Sequence, residues 1–283
     1  MTAAVLLISC RDQPGLVHAV AEFVLQMGGN IVHAEQHIDR EAGVFFQRVE
    51  FDLTDARVGR GEVGAAFAPV AQRFGMDVSI RFTDERPRVA VLASREPHCL
   101  ADLLGRWRSG ELPAEVVTVI SNHSGHAGLA QFSGVPFHHV PVSPTDRAAN
   151  DATLTQLLRD HDVELVVLAR YMQVLGAAVL SAFPARIINI HHSFLPAFVG
   201  ARPYHQAQQR GVKLIGATAH YATAELDEGP IIAQDVTPVS HRDSVADMVR
   251  KGRDLETVVL ARAVRAHVEQ RTLVFGNKTI VFG

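Results

Sequence analysis

The sequence predicts an α/β protein of two domains, in which a small α+β unit precedes a larger domain with a mostly parallel sheet. The length of 283 residues is about twice that of a common single domain. The first 83 residues show strand and helix patterns in the order β-α-β-β-α-β, which is typical of a ferredoxin-like unit. After a charged segment, strand and helix patterns alternate, which favours parallel strands covered by helices.

The first domain is predicted from short apolar runs and turn residues. Apolar residues at helical spacing from Leu16 to Met27 indicate a helix that ends at Gly28-Gly29. Around it we expect strands over 4–9, 30–39, 43–53 and 78–82, and a second helix from Val63 to Phe74. The charged, proline-containing segment 84–88 predicts a linker, so the domains are expected at 1–84 and 85–283.

The second domain is predicted from regular strand–helix alternation. We expect strands over 88–94, 115–121, 136–140, 163–169 and 186–190, with helices near 97–109, 125–132, 147–161 and 175–183. A strand pair over 215–221 and 230–239, a helix over about 244–270 and a hairpin over 273–282 complete the chain. Ligands of such sheets bind at the carboxyl ends of the strands, so a site is expected at that edge.

Composition excludes several classes of function. Lys and Arg number 27 against 30 Asp and Glu, so no basic excess is present to neutralise a nucleic-acid backbone. The apolar runs are short and interrupted, which predicts no membrane span. The first residues show no basic region and no cleavage site of a signal peptide. With only Cys10 and Cys99 present, no disulfide framework is expected, and we predict a cytoplasmic protein.

Two local patterns suggest a nucleotide or a metal site, but each lacks the required context. The sequence GRGEVG over 59–64 matches a dinucleotide fingerprint, yet five residues separate it from the preceding strand, so a loop is favoured. The spacing of the histidines matches no standard zinc pattern; those considered are His191, His192, His205 and His220. We therefore expect neither a metal nor a cofactor.

The most informative stretch lies at the end of a predicted strand, where 186–196 reads RIINIHHSFLP. Asn189 and His191 are two residues apart, so both side chains project from the same face of the strand. Further along, Asp227 opens an Asp-x-Gly-Pro turn, which fixes the direction of a carboxylate. An amide, an imidazole and a carboxylate suit attack on a carbonyl, with the donors stabilising the oxyanion. The alternative is that Asn189 ends the strand and His191 is a structural histidine.

These motifs resemble a known family. The order Asn189-Ile190-His191, Ser-Phe-Leu-Pro and Asp227-x-Gly-Pro-Ile-Ile-x-Gln is similar to the formyltetrahydrofolate-dependent formyltransferases, over most of 88–283. Within that family, the run AFVGARPYHQ over 197–206 resembles the deformylases. Asp12-Gln13-Pro14-Gly15 at a strand–helix turn resembles the opening of an ACT domain. The resemblance implies a regulatory ACT domain followed by a Rossmann-like formyltransferase domain.

The resemblance also implies a reaction, in which 10-formyltetrahydrofolate and water give formate and tetrahydrofolate in one-carbon metabolism and purine biosynthesis. The family's catalytic residues correspond to Asn189 and His191, which would bind the formyl oxygen, and to Asp227, which would orient or deprotonate the water. Folate is then the substrate and not a cofactor. The residues expected to bind it are Arg170, Tyr171, Met172, Val174, Leu175 and Gly216, with Arg170 the candidate for the glutamate tail.

The segment after the first strand of the second domain bears on the acceptor. The glycinamide ribonucleotide transformylases carry a glycine-rich loop there that cradles a phosphate. Here 94–100 reads SREPHCL, in which Glu96 repels a phosphate and Pro97 lacks an N–H, although Arg95 would attract one. This favours water as the acceptor. The alternatives are a formyltransferase that uses an amine, and an amino-acid sensor that binds folate without turning it over.

By resemblance, ACT domains bind small effectors, often amino acids, between domain copies, so we expect a homo-oligomer. The turn at Pro14 and Gly15 would present N–H groups at the start of a helix to a carboxylate. Asp12 belongs to this turn, and Gly28 and Asn30 are expected to line the same region. The alternative is that the first domain only holds an oligomer together.

Overall fold

The computed structural model describes residues 3–143, 146–196 and 203–283, which form two compact units. The first unit contains the residues up to Glu85 together with Glu269–Phe275 and Ile280–Gly283. The second contains Arg86–Val268 and Gly276–Thr279. None of the helices in these described ranges combines the length and apolar character needed to cross a bilayer.

The first unit has the predicted β-α-β-β-α-β order. Its elements are β1 (Ala3–Arg11), α1 (Leu16–Gln26), β2 (Asn30–Asp39), β3 (Val44–Asp52), α2 (Val63–Phe74) and β4 (Asp77–Phe82). The sheet order is β2-β3-β1-β4, and all three pairings are antiparallel. On β1, alternate residues such as Leu6 and Ile8 face the two helices and pack with Phe23 and Phe67. This period-2 burial fixes the register of the sheet.

The last residues of the chain cover the other face of this sheet. A hairpin formed by β12 (Thr272–Phe275) and β13 (Lys278–Val281) precedes Phe282, which is buried against Leu7 and Phe46. The buried Arg48 donates a 2.9 Å hydrogen bond from Nε to the carbonyl of Gln270. The sequence analysis assigns these residues to the second domain. Their apolar side chains instead pack with the first sheet, because β1 and β3 carry apolar residues on both faces.

The second unit is a seven-stranded sheet covered by helices. Its elements are β5 (Arg88–Ala93), α3 (His98–Arg108), β6 (Glu115–Ser121), α4 (Ala127–Ser133), β7 (Phe137–His139), α5 (Arg147–Asp160), β8 (Leu165–Ala169), α6 (Ala177–Ala182), β9 (Ile187–His191), α7 (Pro203–Arg210), β10 (Leu214–Tyr221), β11 (Ile231–Pro238) and α8 (Val245–Val268). The order is β11-β10-β9-β8-β5-β6-β7. Strands β5 to β9 pair in parallel, whereas β10 pairs antiparallel with β9 and β11 pairs antiparallel with β10. The predicted mostly parallel sheet is therefore confirmed.

The buried strand β9 places the site on one face of this sheet. Ile188 and Ile190 pack in the core cluster that also contains Val259 and Leu260 of α8. Because successive side chains of a strand point to opposite faces, Asn189 and His191 project away from α8. Hydrophobic burial on one face thus fixes the direction of both polar side chains.

The structure adds two elements that the sequence analysis does not include. Helix α7 is polar except for the buried Tyr204 and Ala207, so it lacks the apolar periodicity that would have revealed it. Residues 197–202, the first part of the AFVGARPYHQ motif, lie outside the described residues. Within GRGEVG, Arg60–Glu62 forms a short 3-10 turn in which Glu62 accepts a 2.8 Å hydrogen bond from the Gly59 N–H.

A pair of alanine substitutions tests the packing after α1. Gly28 has φ +82°, and a Cβ there would lie 2.7 Å from the carbonyl oxygen of Asp55, whereas Gly43 has φ +65° and open space around it. We expect Gly43→Ala to lower the free energy of unfolding by about 1 kcal/mol, because of the left-handed backbone alone. Gly28→Ala should lower it by about 2–3 kcal/mol, because the Cβ also meets the carbonyl of Asp55. Equilibrium urea unfolding of both variants measures the difference. Equal destabilisation would show that the Asp55 carbonyl moves aside freely.

Candidate active site

A cavity of about 480 Å³ lies on the second unit, at the carboxyl ends of β8 and β9 and beneath the loop that joins β10 to β11. It is lined by eight of the predicted site residues, which are Arg170, Tyr171, Met172, Val174, Leu175, Asn189, His191 and Asp227. This edge of the sheet is where ligands of such folds bind. The structure therefore brings the predicted catalytic and folate-binding residues to one cavity.

His191 and Asp227 form the closest ionic contact in this cavity. The distance from Nδ1 of His191 to Oδ2 of Asp227 is 3.2 Å, and both side chains are largely buried. A carboxylate only accepts hydrogen bonds, so Nδ1 of His191 carries the proton. Nε2 of His191 is buried and has no hydrogen-bond partner among the described residues. It is the atom of this imidazole that is free to bind a ligand.

The turn that carries Asp227 depends on the glycine two residues later. Asp227 has a left-handed backbone with φ +59°. A Cβ on Gly229 would lie 1.8 Å from the carbonyl oxygen of Tyr221, so only glycine permits this approach. The Tyr221 N–H then donates a 2.9 Å hydrogen bond to the carbonyl of Pro230. The Asp-x-Gly-Pro sequence thus folds the loop back over the strand and brings the carboxylate to His191.

The electrostatic surroundings keep Asp227 ionised. Contacts with His191 and then with His220 hold the pKa of the Asp227 carboxyl well below its usual range, and they outweigh burial, which would raise it. The second contact places Nε2 of His220 3.7 Å from Oδ1 of Asp227. A carboxylate in this state is a weak base and a strong partner for a positively charged imidazole.

His220 orients Asn189 from the neighbouring strand. The two residues are opposite each other in the antiparallel pairing of β9 and β10. Nδ1 of His220 lies 3.0 Å from the carbonyl of Tyr221, which only accepts, so this nitrogen carries the proton in the neutral ring. Nε2 then accepts a 3.2 Å hydrogen bond from Nδ2 of Asn189. The sequence analysis considered His220 only as a metal ligand and missed this role.

Two polar side chains support the segment that follows His191. The buried Thr218 hydroxyl donates to the carbonyl of Ser193 at 2.9 Å and accepts from the Leu195 N–H at 3.0 Å. Gln234 donates to the carbonyl of Leu195 at 3.0 Å. The Ser-Phe-Leu-Pro segment is therefore held in place by its backbone hydrogen bonds, and Gln234, the last residue of the Asp-x-Gly-Pro-Ile-Ile-x-Gln motif, has a structural role.

The segment after β8 divides into exposed and buried side chains. Met172 and Val174 are 57% and 63% exposed, and with Leu226 they give the cavity an apolar rim. Tyr171 and Leu175 are buried in the core cluster of β8 and α6. Exposed apolar side chains beside a cavity suit an aromatic ligand. Met172 and Val174 are thus placed to contact a ligand over a larger area than their two buried neighbours.

Arg170 lines the cavity, but its guanidinium is mostly enclosed. The backbone is left-handed with φ +61°, and Nε lies 3.4 Å from Oε2 of Glu256 on α8. Glu256 is 1% exposed. Its carboxylate accepts hydrogen bonds from His98 Nε2 at 2.7 Å and from the Tyr204 hydroxyl at 3.0 Å. Burial alone would raise the pKa of Glu256, but His98 and Arg170 together lower it.

The sequence offered a signal for Glu256. It lies three and four residues before the buried Val259 and Leu260, and so falls within the apolar stripe of α8. An acidic residue on such a stripe predicts a buried partner.

Among the described residues, His98, Cys99 and Glu256 form the one group whose metal-ligating atoms lie within 4.8 Å of one another. Burial raises the pKa of the Cys99 thiol, which opposes the thiolate that a metal needs. Arg170 already supplies a positive charge to Glu256. The chemistry of this group does not fit a metal ion.

The structure corrects two predicted positions. Gly216 does not line the cavity, and instead borders a much smaller one with Phe194 and Tyr204. In the first unit, Asp12, Pro14 and Gly15 lie exposed before α1, whereas Gly28 and Asn30 follow it. The 11 residues of α1 separate the two groups by about 16 Å, so the prediction that they line one turn region is wrong.

Comparison with known proteins gives two matching family models, formyl transferase over residues 87–264 and ACT domain over residues 4–63. A formyltetrahydrofolate deformylase of Synechocystis is 52% identical over 99% of this chain and 98% of its own. The chain belongs to the formyltetrahydrofolate deformylase family. It is therefore an enzyme of the hydrolase class, and its predicted ACT and formyltransferase domains are confirmed.

Solved structures agree with this family. A formyltetrahydrofolate deformylase from Pseudomonas syringae pv. tomato has a TM-score of 0.98 at 49% identity, covering 100% of this chain and 95% of its own. A glycinamide ribonucleotide transformylase from Symbiobacterium toebii has a TM-score of 0.66 at 38% identity, covering 70% of this chain and 95% of its own. A transformylase and the deformylase family thus share one domain fold, so the fold by itself does not decide the acceptor.

The cavity wall predicts a pH-dependent stability. Burial, and then the nearby Arg170, lower the pKa of His192 to about 4, so the folded protein binds fewer protons than the unfolded chain between pH 6.5 and pH 4. Stability contributed by the neutral ring is therefore lost as the pH falls through this window. When the pH is lowered from 7 to 5, the free energy of unfolding of His192→Asn, measured in urea, should fall by about 2 kcal/mol less than that of the wild type. Equal losses would show that His192 titrates normally.

Proposed function

We propose that this chain hydrolyses 10-formyltetrahydrofolate to formate and tetrahydrofolate. The observation that carries this proposal is the meeting of Asn189, His191 and Asp227 in one cavity of a chain that belongs to the deformylase family. The exposed apolar side chains at the cavity rim suit the flat pterin and benzoyl rings of a folate. The reaction would place the enzyme in one-carbon metabolism and link it to purine biosynthesis.

In the proposed mechanism, two donors bind the formyl oxygen. Nδ2 of Asn189 is oriented by His220, and we propose that the second N–H of that amide donates to the formyl oxygen. Nε2 of His191 has no hydrogen-bond partner among the described residues and donates when the ring is protonated. As the carbonyl carbon becomes tetrahedral, negative charge gathers on this oxygen, and fixed donors stabilise that charge more than they stabilise the neutral carbonyl.

Asp227 fixes the ring of His191 through Nδ1 and orients the attacking water. Oδ2 is engaged by His191, which leaves Oδ1, at 3.7 Å from His220, to accept a hydrogen bond from water. Because the carboxylate is a weak base, we propose that the water proton passes to N10 of the folate as the bond from N10 to the formyl carbon breaks. Tetrahydrofolate leaves with this proton, and the formic acid ionises to formate.

The surroundings of the 94–100 segment argue against a phosphorylated amine as the acceptor. Glu96 is paired with Arg253, and Ser94 donates a 2.8 Å hydrogen bond to Asn122. Arg95, which would attract a phosphate, contacts His123 at 3.4 Å. The sensor alternative is disfavoured because Asn189, His191 and Asp227 line one cavity and His191 lies 3.2 Å from Asp227.

The proposal predicts release of formate in a buffer that contains no amine acceptor. We expect Asn189→Ala and Asp227→Asn each to lower this release by about 10²–10³-fold, because each removes a group that acts on the transition state. Asp235→Asn, the same change at a surface ion pair with Arg262, is the matched control and should retain activity. Formate and tetrahydrofolate are quantified by chromatography.

Other outcomes separate the alternatives. Folate binding without formate release by the wild type would favour the sensor, and release that requires an amine would favour the transferase. Full activity in Asp227→Asn would remove the catalytic assignment while leaving the hydrolysis itself in place.

We also propose that the first unit binds a small effector, with an amino acid as the candidate, on the basis of its match to the ACT domain model. The start of α1 has no side-chain cap and is bordered by the exposed Asp12, Pro14 and Gly15. Free N–H groups at a helix start attract a carboxylate.

A ligand that saturates the folded state at 100 times its Kd should stabilise the protein by about 2.7 kcal/mol. We therefore expect at least one of the twenty amino acids to raise the melting temperature and to change the rate of formate release. If none of them changes either quantity, the first unit serves assembly alone.

A further inference from the structure

A buried polar cluster lies directly beside the catalytic cavity, and the mechanism above does not use it. It comprises His98, Arg170, Tyr204 and Glu256 and is called the Glu256 network here. Glu256 lies at its centre, with contacts of 2.7 Å to His98, 3.0 Å to Tyr204 and 3.4 Å to Arg170. The side chains of His98 and Arg170 are only 15% and 14% exposed.

The network fills the space above the carboxyl ends of two adjacent strands. His98 begins the helix after β5, and Arg170 directly follows β8. Ser94, at the end of β5, accepts a 2.9 Å hydrogen bond from the N–H of Met172 and so ties the two loops together. Arg170 and His192 form the cavity wall on this side. The cavity therefore ends at the network.

This arrangement is costly for the fold. Arg170 holds a left-handed backbone, where an L-residue costs about 1–2 kcal/mol and glycine costs far less. Nε and Nη1 of Arg170 are buried without a hydrogen bond among the described residues. A buried ion pair adds little stability relative to apolar packing of the same volume. Strain and unsatisfied groups beside an active site point to a functional role.

A comparison of the two acceptors suggests that role. Water needs only the space of one small molecule beside the formyl carbon, whereas an amine substrate needs a second pocket next to the folate. A transformylase with the same domain fold has an amine substrate by name. In this chain the Arg170 side chain lines the cavity, and Glu256 behind it holds its guanidinium.

We propose that the Glu256 network excludes amine acceptors and so reserves the formyl group for water, with Arg170 as the specificity-determining residue. This inference rests on the proposed hydrolysis. Specificity of this kind comes from a group that blocks the wrong partner rather than from one that binds the right partner. If the block is removed, an amine nitrogen bonds to the formyl carbon, the bond to N10 breaks, and an amine proton replaces the formyl group on N10.

The substitution Arg170→Gly tests the proposal, because glycine suits φ +61° and removes the whole side chain. The assay supplies 10-formyltetrahydrofolate with increasing glycinamide, a small primary amine, and measures N-formylglycinamide and formate by chromatography after subtraction of the uncatalysed reaction. The control is Asp162→Gly, which relaxes another left-handed residue, at φ +47°, in the exposed loop before β8. It controls for added backbone freedom in the same unit.

We expect the ratio of N-formylglycinamide to formate to rise at least about tenfold in Arg170→Gly, and to stay at the wild-type value in Asp162→Gly. Glu256→Gln is the second variant, because it retains the shape of the side chain and removes the charge that holds Arg170; a smaller rise in the same ratio is expected. A change of product ratio is a readout that loss of stability alone does not produce.

Three results would overturn the proposal or its basis. If both variants fold and give the wild-type ratio, the network does not control the acceptor. If both bind tetrahydrofolate but form neither product, the network is needed for the chemistry itself and the exclusion role is wrong. If the wild type releases no formate, the proposed hydrolysis fails first, and this result is recognised without any variant.

Discussion

The contact between Asp227 and His191 is the interaction on which the rest of the site depends. Two groups 36 positions apart in the chain meet at 3.2 Å because β9 is buried on one face and because the Asp-x-Gly-Pro turn folds back over it. His220 lies between the same carboxylate and Asn189, with Nε2 3.7 Å from Oδ1 of Asp227 and 3.2 Å from Nδ2 of Asn189. The position of this one carboxylate is thus linked to the directions of the polar side chains that line the cavity beside it.

How far the site follows from sequence depends on how local each constraint is. Asn189 and His191 follow from period-2 alternation, and Asp227 follows from a turn motif, since both signals lie within a few residues. The apolar stripe of α8 signals that Glu256 is buried, but strand pairing and helix docking bring the partners of His220 and Glu256 to them, and no short window encodes those partners. Gly216 was assigned by resemblance, and Gly28 and Asn30 were expected beside the Pro14-Gly15 turn. The structure places Gly216 at a smaller cavity and the other two residues at the far end of α1.

The two polar clusters of the second unit differ in what they leave open. Around Asp227, Nε2 of His191 has no hydrogen-bond partner among the described residues, and the ring lines the cavity, where a ligand can reach it. Around Glu256, both carboxylate oxygens are engaged by protein groups, and the cluster is enclosed, with Nε and Nη1 of Arg170 buried and without a hydrogen bond among the described residues. The same residue types therefore serve different purposes, because the first cluster opens onto the cavity and the second does not. Fold similarity to a transformylase does not reveal this difference, because it resides in side chains and not in the backbone.

The hairpin at the end of the chain has a consequence for how the molecule is made. Phe282 and its neighbours complete the first unit's apolar packing, so this unit joins residues that are synthesised before the second unit to residues that are synthesised after most of it. While the ribosome is still translating the second unit, one face of the first sheet, with Leu7 and Phe46, lacks these residues. The first unit therefore reaches its final packing only after nearly all of the second unit has been synthesised.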